Sequence, residues 1–138
     1  MTVVMPGSAV RQVKTVLPDL RAQQIGVLRR IVAAYLDLWH MTGLAEAAVA
    51  SVTELLANAV QHASGECELL MWDLDDGLLV VVTDFSPEPV LFPQAAQDDE
   101  SGRGMSLVHA LTDEMGVEYT PVGKQVWFRL ARSSGPLA

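Results

Sequence analysis

The sequence predicts an α/β (α+β) two-layer sandwich, in which three helices cover one face of a mixed, mostly antiparallel sheet. Three observations support this fold class. Strand-like and helix-like segments follow the order strand, helix, helix, strand, strand, loop, helix, strand, strand. An Asp-Asp-Gly turn at 75–77 joins two apolar runs, as in a hairpin. Half of the 138 residues are hydrophobic, so a single domain over 1–138, with its core at about 10–131, can fold without disulfides.

The first half of the chain is predicted to form one strand and two helices. Arg11 to Leu17 has the length of a strand, and Asp19 is a suitable N-cap for a helix that runs to about His40. The apolar residues of this helix recur at spacings of three and four: Ile25, Leu28, Val32, Tyr35 and Trp39. Thr42-Gly43 interrupts the pattern, and a second helix is expected from Leu44 to Ala63.

The second half is predicted to form strands on both sides of a third helix. Their ranges are Cys67–Leu74, Leu78–Asp84, Met105–Met115 (the helix), Val117–Tyr119 and Gln125–Leu130. In the hairpin turn, Gly77 is expected to supply a positive φ, and Gly116 is expected to cap the third helix. The segment from about 86 to 103 has no apolar periodicity, which is typical of a functional loop, so it is predicted to be a flexible lid.

Composition excludes several classes of function. The net charge is −8, and the nine Lys and Arg residues are dispersed, so direct nucleic-acid binding is not expected. The acidity suits a basic protein partner, but solubility alone also explains it. The single Cys67 cannot form an intrachain disulfide and is interpreted as a small apolar core residue. No signal peptide or run of about 20 apolar residues is recognised, which predicts a cytoplasmic protein without a membrane span.

A polar stripe runs along the second helix. Ser51, Glu54, Asn58 and either Gln61 or His62 recur at steps of three or four residues. Spacing alone favours the solvated face of an amphipathic helix. The alternative is a stripe that faces a cavity, where Asn58 offers its amide oxygen to Mg²⁺ and Glu54 orients or deprotonates an attacking hydroxyl.

Asp84 ends an apolar strand and shares its face with Val80 and Val82, which predicts that it points inward under the helices. A buried carboxylate needs donors. An adenine amino group would be one, and a local turn with the Ser86 hydroxyl or nearby backbone amides would serve equally well.

Gly102-Arg103-Gly104 leads directly into the third helix. Glycines allow close backbone approach, and the N-terminal amides of a helix bind phosphate. The pattern is weak evidence by itself. It is not a P-loop, and Leu107 at the third glycine position excludes a dinucleotide fingerprint. Arg103 is either a phosphate contact or an exposed surface residue.

In combination and in order, the segments ELLANAVQHA, VTDFSPEP, SGRGMSLVHALTDEMGV and GKQVWFRL resemble the N box and the two G boxes of the Bergerat ATP-binding fold. The resemblance covers about Val10 to Ala131. Within that superfamily, the chain is most similar to the stand-alone anti-sigma-factor serine/threonine kinases and related bacterial regulators.

The resemblance implies a role for each motif. It implies Mg²⁺ on Asn58, a catalytic base at Glu54, the adenine amino contact at Asp84 and phosphate contacts along Gly102–Gly104. The further nucleotide contacts that it implies are His62, Ser86, Pro89, Arg103, Met105 and Gln125. The chain departs from the family at two places. Ser86 stands where glycine is common, which stiffens the loop after Asp84. The threonine that is common in the final strand is replaced around Lys124-Gln125, which calls one water-mediated contact to adenine into question.

By resemblance, the chain is an ATP-dependent protein serine/threonine kinase that binds a sigma factor and phosphorylates a small antagonist protein. The alternative is a nucleotide-dependent module that sequesters a partner without transferring phosphate. Glu54 favours the kinase, whereas the unusual first G box leaves the alternative open. A homodimer is also left open.

Overall fold

The computed structural model describes residues 11–62, 66–86 and 100–132, and the side chains of residue 62 and of residues 100–104 lie outside this description. The elements are β1 (Arg11–Leu17), α1 (Ile25–Leu38), α2 (Ala45–His62), β2 (Cys67–Leu74), β3 (Gly77–Asp84), α3 (Glu100–Leu111), β4 (Glu114–Thr120) and β5 (Gly123–Ala131). Short 3₁₀ turns precede α1 and α2, at Ala22–Gln24 and Thr42–Leu44. The predicted two-layer fold class is confirmed.

The five strands form one sheet in the order β1-β2-β3-β5-β4. Each neighbouring pair among these described strands is antiparallel, so this sheet is not mixed. The reason lies in the connections. β2–β3 and β4–β5 are hairpins, and α1 and α2 together return the chain so that β2 runs opposite to β1. The crossover through α3 places β4 parallel to β3, but β5 lies between them.

The main core lies between the helices and one face of the sheet. It contains Leu36 of α1, Leu56 of α2, Val108 of α3 and Phe128 of β5, all fully buried. Side chains alternate along the strands. Val80 of β3 therefore belongs to this core, whereas its neighbours Leu79 and Val81 belong to a second apolar cluster on the opposite face of the sheet.

The first helix begins and ends differently from the prediction. Asp19 is not its N-cap. Arg21 caps the preceding 3₁₀ turn, since its backbone N–H donates to Gln24 Oε1 at 2.8 Å, and its guanidinium pairs with Asp19 at 2.9 Å. At the other end, His40 has a φ of 59°, and the Met41 N–H donates to the Leu36 carbonyl at 2.7 Å. This left-handed cap stops the helix at Leu38.

The third helix spans Glu100–Leu111, earlier in the chain than predicted. Its last turn closes at Thr112, whose side-chain hydroxyl and backbone N–H both donate to the Val108 carbonyl, at 2.8 and 3.1 Å. The Asp113 N–H then bonds the Arg129 carbonyl at 3.0 Å, which starts pairing with β5. Consequently Gly116 is not a helix cap but a residue of β4. The last residues of the predicted lid, 100–103, form the first turn of α3, and residues 87–99 lie outside the described chain.

The β2–β3 hairpin needs Gly77 for a different reason from the one predicted. The turn consists of Asp75 and Asp76, and Gly77, the first residue of β3, does not have a φ in the left-handed region. A Cβ on Gly77 would lie 2.2 Å from the Leu130 carbonyl oxygen of β5. Gly77 therefore allows two backbones to approach closely.

The segment Thr42–Gln61, which contains most of α2, is long and apolar enough to cross a membrane by length and composition alone. No such segment was expected from the sequence. In the structure α2 packs Val52, Leu55 and Leu56 into the core. Packing in the core therefore accounts for the hydrophobicity of α2.

Candidate functional site

Asp84 lies on the helix-facing side of the sheet, as predicted, but its main partner is a residue that the sequence analysis did not assign. Lys124 of β5 is directly opposite Asp84 in the ladder, and its Nζ lies 3.1 Å from Asp84 Oδ1. The two side chains are 5% and 6% exposed. The Ser86 backbone N–H also donates to Oδ1, at 3.0 Å. The local turn is therefore present, and a buried cation is added to it.

The backbone of the β4–β5 turn is held close to Asp84. A Cβ on Gly123 would lie 2.0 Å from the Asp84 carbonyl oxygen and 2.7 Å from the Phe85 Cα. Only glycine permits this approach. This close approach places the next residue, Lys124, beside the Asp84 carboxylate.

Cys67 is the β2 neighbour of Asp84 and is fully buried in the core. Burial, followed by the negative charges of Asp84 and then Glu68, raises the pKa of the Cys67 thiol to about 11. A thiol with this pKa is protonated and unreactive at neutral pH. The interpretation of Cys67 as a core residue is confirmed.

The polar stripe of α2 is not a uniformly solvated face. Ser51 is completely buried, Glu54 and Asn58 are half-buried, and Gln61 is exposed. Among the described residues, the Ser51 hydroxyl has no hydrogen-bond partner. The stripe therefore runs from the protein interior to its surface, with Glu54 and Asn58 at the boundary.

Asn58 lies at the contact between α2 and α3. Its amide nitrogen, Nδ2, is 3.1 Å from the sulfur of Met105, whose side chain is fully buried. With the amide nitrogen on the sulfur, the amide oxygen is the atom left for a ligand. Since Met105 is enclosed against Asn58, it positions that side chain and belongs to the packing between the helices.

Of the remaining predicted nucleotide contacts, the structure describes the side chains of Gln125 and Ser86. Gln125 is half-buried and lies on the opposite face of the sheet from Asp84, because successive side chains of a strand alternate. Lys124 occupies the neighbouring position instead. Ser86 is buried. Pro89 lies outside the described residues, and for His62, Gly102, Arg103 and Gly104 only the helical backbone is described.

The α3 N-terminus is formed by the segment that the second G box occupies. α3 begins at Glu100, so Gly102 and Gly104 lie in its first two turns. The first N–H groups of a helix have no intrahelical acceptor and carry the positive end of the helix dipole. Such a terminus is suited to phosphate.

A magnesium ion would have a single protein ligand here. Across the side chains that the structure describes, no group of three or more His, Cys, Asp or Glu residues is arranged to hold a metal. The amide oxygen of Asn58 fits a different arrangement, since Mg²⁺ in phosphate sites takes few protein oxygens and completes its shell with phosphate and water.

A second buried carboxylate, Asp73, lies at the opposite end of β2 from the Asp84 neighbour Cys67. It accepts hydrogen bonds from Arg11 Nε at 2.8 Å and from Arg132 at 3.4 Å. Arg132 also bonds the His40 carbonyl at 3.2 Å. This cluster connects β1, β2 and the end of α1, so its role is structural. No local sequence pattern indicates it, since its members are far apart in the chain.

Comparison with known protein families gives one match. Residues 18–130 match the family described as "Histidine kinase-like ATPase domain". The match begins just after β1 and ends within β5, so it covers most of the chain and includes Glu54, Asn58, Asp84 and Lys124. Comparison with curated proteins finds no significant match.

Proposed function

Because the chain belongs to the histidine kinase-like ATPase domain family, we propose that it binds Mg·ATP and acts as an anti-sigma-factor-type serine/threonine protein kinase in the cytoplasm. The observation that supports this proposal best is the environment of the Asp84 carboxylate. This buried carboxylate ends β3 on the helix-covered face and is held by the Ser86 N–H and Lys124. An acceptor prepared in this way suits the amino group of a nucleobase.

Each element of the site has a role in this proposal. Asp84 accepts the adenine amino group, and the N-terminus of α3 donates to phosphate oxygens. The Asn58 oxygen would hold Mg²⁺, and the ion would supply positive charge beside the phosphate oxygens. Glu54 lies one turn before Asn58 on α2, where it orients the attacking hydroxyl of the protein substrate and accepts its proton.

Nucleotide binding is tested by titration calorimetry with Mg·ATP. We expect Asn58→Ala and Asp84→Ala each to weaken binding by about 1–3 kcal/mol, because each removes a polar partner from a desolvated contact. Asp76→Asn, in the distant β2–β3 turn, is the matched control and should bind as the wild type does. If folded wild-type protein has no affinity for nucleotide, the proposal is wrong.

Phosphate transfer is tested by Glu54→Gln with labelled ATP and an antagonist-like protein. The amide preserves shape but cannot accept a proton, so transfer should fall by roughly 10²–10⁴ while ATP affinity changes little. Glu46→Gln, exposed in the first turn of the same helix, is the control. If both variants retain full transfer, the base lies elsewhere.

The second candidate function is a nucleotide-dependent module that sequesters its partner. The replacement of the usual glycine by Ser86, which the structure buries, supports it, because a stiffer loop after Asp84 limits the rearrangements of a catalytic cycle. Tight ATP binding by the wild type without transfer to any antagonist-like protein would favour this module over the kinase.

The proposed partners are a sigma factor and a small antagonist protein. The net charge of −8 supports a partner with a basic contact surface. Copurification with sigma factors at low and high salt tests this proposal, because attraction between opposite charges weakens as salt is added. A homodimer is tested in the same samples by light scattering.

A further inference from the structure

The ammonium group of Lys124 has more hydrogen-bonding capacity than its ion pair uses. It has three N–H donors, and Asp84 Oδ1 accepts one of them. The Lys124 side chain is 5% exposed, so bulk water does not freely supply the other acceptors. The pair lies where β3 ends and β5 begins, and the adjacent Phe85 is 39% exposed. Among the described residues next to the pair, Phe85 reaches the surface, so a planar ligand would enter from the strand ends.

A nucleobase that binds Asp84 must either displace Lys124 or bind beside it. Displacement would leave a buried carboxylate without its cation, and a neutral amine returns far less than this loss costs. Gly123 also keeps the start of β5 against the Asp84 backbone, so the lysine cannot withdraw with its strand. The ion pair should stay closed when the base binds.

We propose that Lys124 is a base-contacting residue that donates to a ring nitrogen of the bound nucleobase while it remains paired with Asp84. The pair presents an acceptor and a cationic donor side by side. This arrangement fits a base with an exocyclic amine beside a ring nitrogen that accepts, as in adenine, where N1 and N7 lie on either side of the amine. The inference rests on the proposed nucleotide binding and adds a residue that forms a hydrogen bond with the base.

The first test changes the ligand and leaves the wild-type protein intact. ATP is compared with 1-deaza-ATP and 7-deaza-ATP by calorimetry. One of these analogues should bind about tenfold or more weakly, as expected for a lost hydrogen bond to a charged donor. If both analogues bind as tightly as ATP does, the proposed base contact is wrong, although the proposed function still stands. Wild-type protein that binds no nucleotide would overturn both.

The second test uses Lys124→Met, with Lys14→Met on the exposed face of β1 as the matched control. Lys124→Met should bind ATP about tenfold more weakly and should no longer distinguish ATP from the analogue that the wild type disfavours. Lys14→Met should retain the distinction. Tighter ATP binding by Lys124→Met would mean that the lysine blocks the site, which contradicts the proposal.

The third test needs no variant, because the chain contains only two lysines, Lys14 and Lys124. Lys14 is 54% exposed and serves as the internal reference for an amine-acylating reagent followed by mass spectrometry. Lys124 should be protected both without nucleotide and with saturating Mg·ATP. If Mg·ATP makes Lys124 reactive, the base displaces the lysine and the proposal is wrong.

Discussion

Gly116 lies directly opposite Trp127 in the β4–β5 ladder, and the indole ring of Trp127 occupies the space that a side chain on Gly116 would need. A Cβ on Gly116 would lie 2.8 Å from Trp127 Cζ2 and 2.9 Å from Nε1. Trp127 is 4% exposed and belongs to the second apolar cluster, together with Trp72, Leu79 and Val81. The glycine therefore allows this cluster to extend across the edge strand.

We expect Gly116→Ala to lower the free energy of unfolding by about 2 kcal/mol, because the added methyl group forces the indole out of its position. Urea denaturation monitored by tryptophan fluorescence measures the change. Gly26→Ala in α1 is the control, since no atom lies within 4 Å of its Cβ position. That variant should be as stable as the wild type or more stable by up to about 1 kcal/mol. Equal stability of Gly116→Ala and the wild type would contradict the packing described here.

Asp73→Asn tests the cluster that joins β1, β2 and the end of α1. The substitution removes the charge that pairs with Arg11 and Arg132, and we expect it to destabilise the protein by about 2–4 kcal/mol, because the Asp73 side chain is 4% exposed. Asp76→Asn on the same hairpin breaks a pair with Arg129 in which the carboxylate is 70% exposed. Its cost should be at most about 1 kcal/mol. Similar costs for the two variants would show that burial does not decide the strength of these pairs.

Ser51→Ala should stabilise the protein. The buried hydroxyl of Ser51 has no partner within the described structure, so removing it relieves a desolvation cost of about 1 kcal/mol. Thr53→Val is the matched control on the same helix. Its hydroxyl donates to the Val49 carbonyl at 2.7 Å, and losing that bond should not stabilise the protein. A destabilised Ser51→Ala, measured by thermal and urea unfolding, would show that the hydroxyl is satisfied in solution.

The Cys67 thiol should react slowly while the protein is folded. Its pKa rises from 9.0 to about 11, so at pH 8 the thiolate fraction is about 100-fold lower than in the unfolded chain. The unfolded thiol ionises first as pH increases, so this group's contribution to stability is complete below about pH 9 and is lost as pH rises towards 11. Cys67→Ala should lack this part of the pH dependence. Rapid labelling of native protein by a thiol reagent at pH 8 would contradict the assignment.

Local sequence patterns were sufficient to predict several elements and the direction in which Asp84 points. The strands Arg11–Leu17 and Cys67–Leu74 have the predicted limits, because an apolar run bounded by turn residues ends where the backbone must change direction. Strand alternation was sufficient to place Asp84 under the helices. The motif order was sufficient to indicate the ATPase family, which the family match confirms.

The contacts across the sheet could not be predicted from local patterns. Lys124 lies 40 positions after Asp84 in the chain, and their pairing depends on the β3–β5 register, which no local pattern encodes. The β4–β5 register likewise places Gly116 against Trp127, so a predicted helix cap is a strand residue. Local propensity describes the conformation of one segment, whereas long-range contacts depend on the packing of the whole sheet. For this reason the sequence indicated Asp84 as the acceptor in the site, and the fold added Lys124 as its cation.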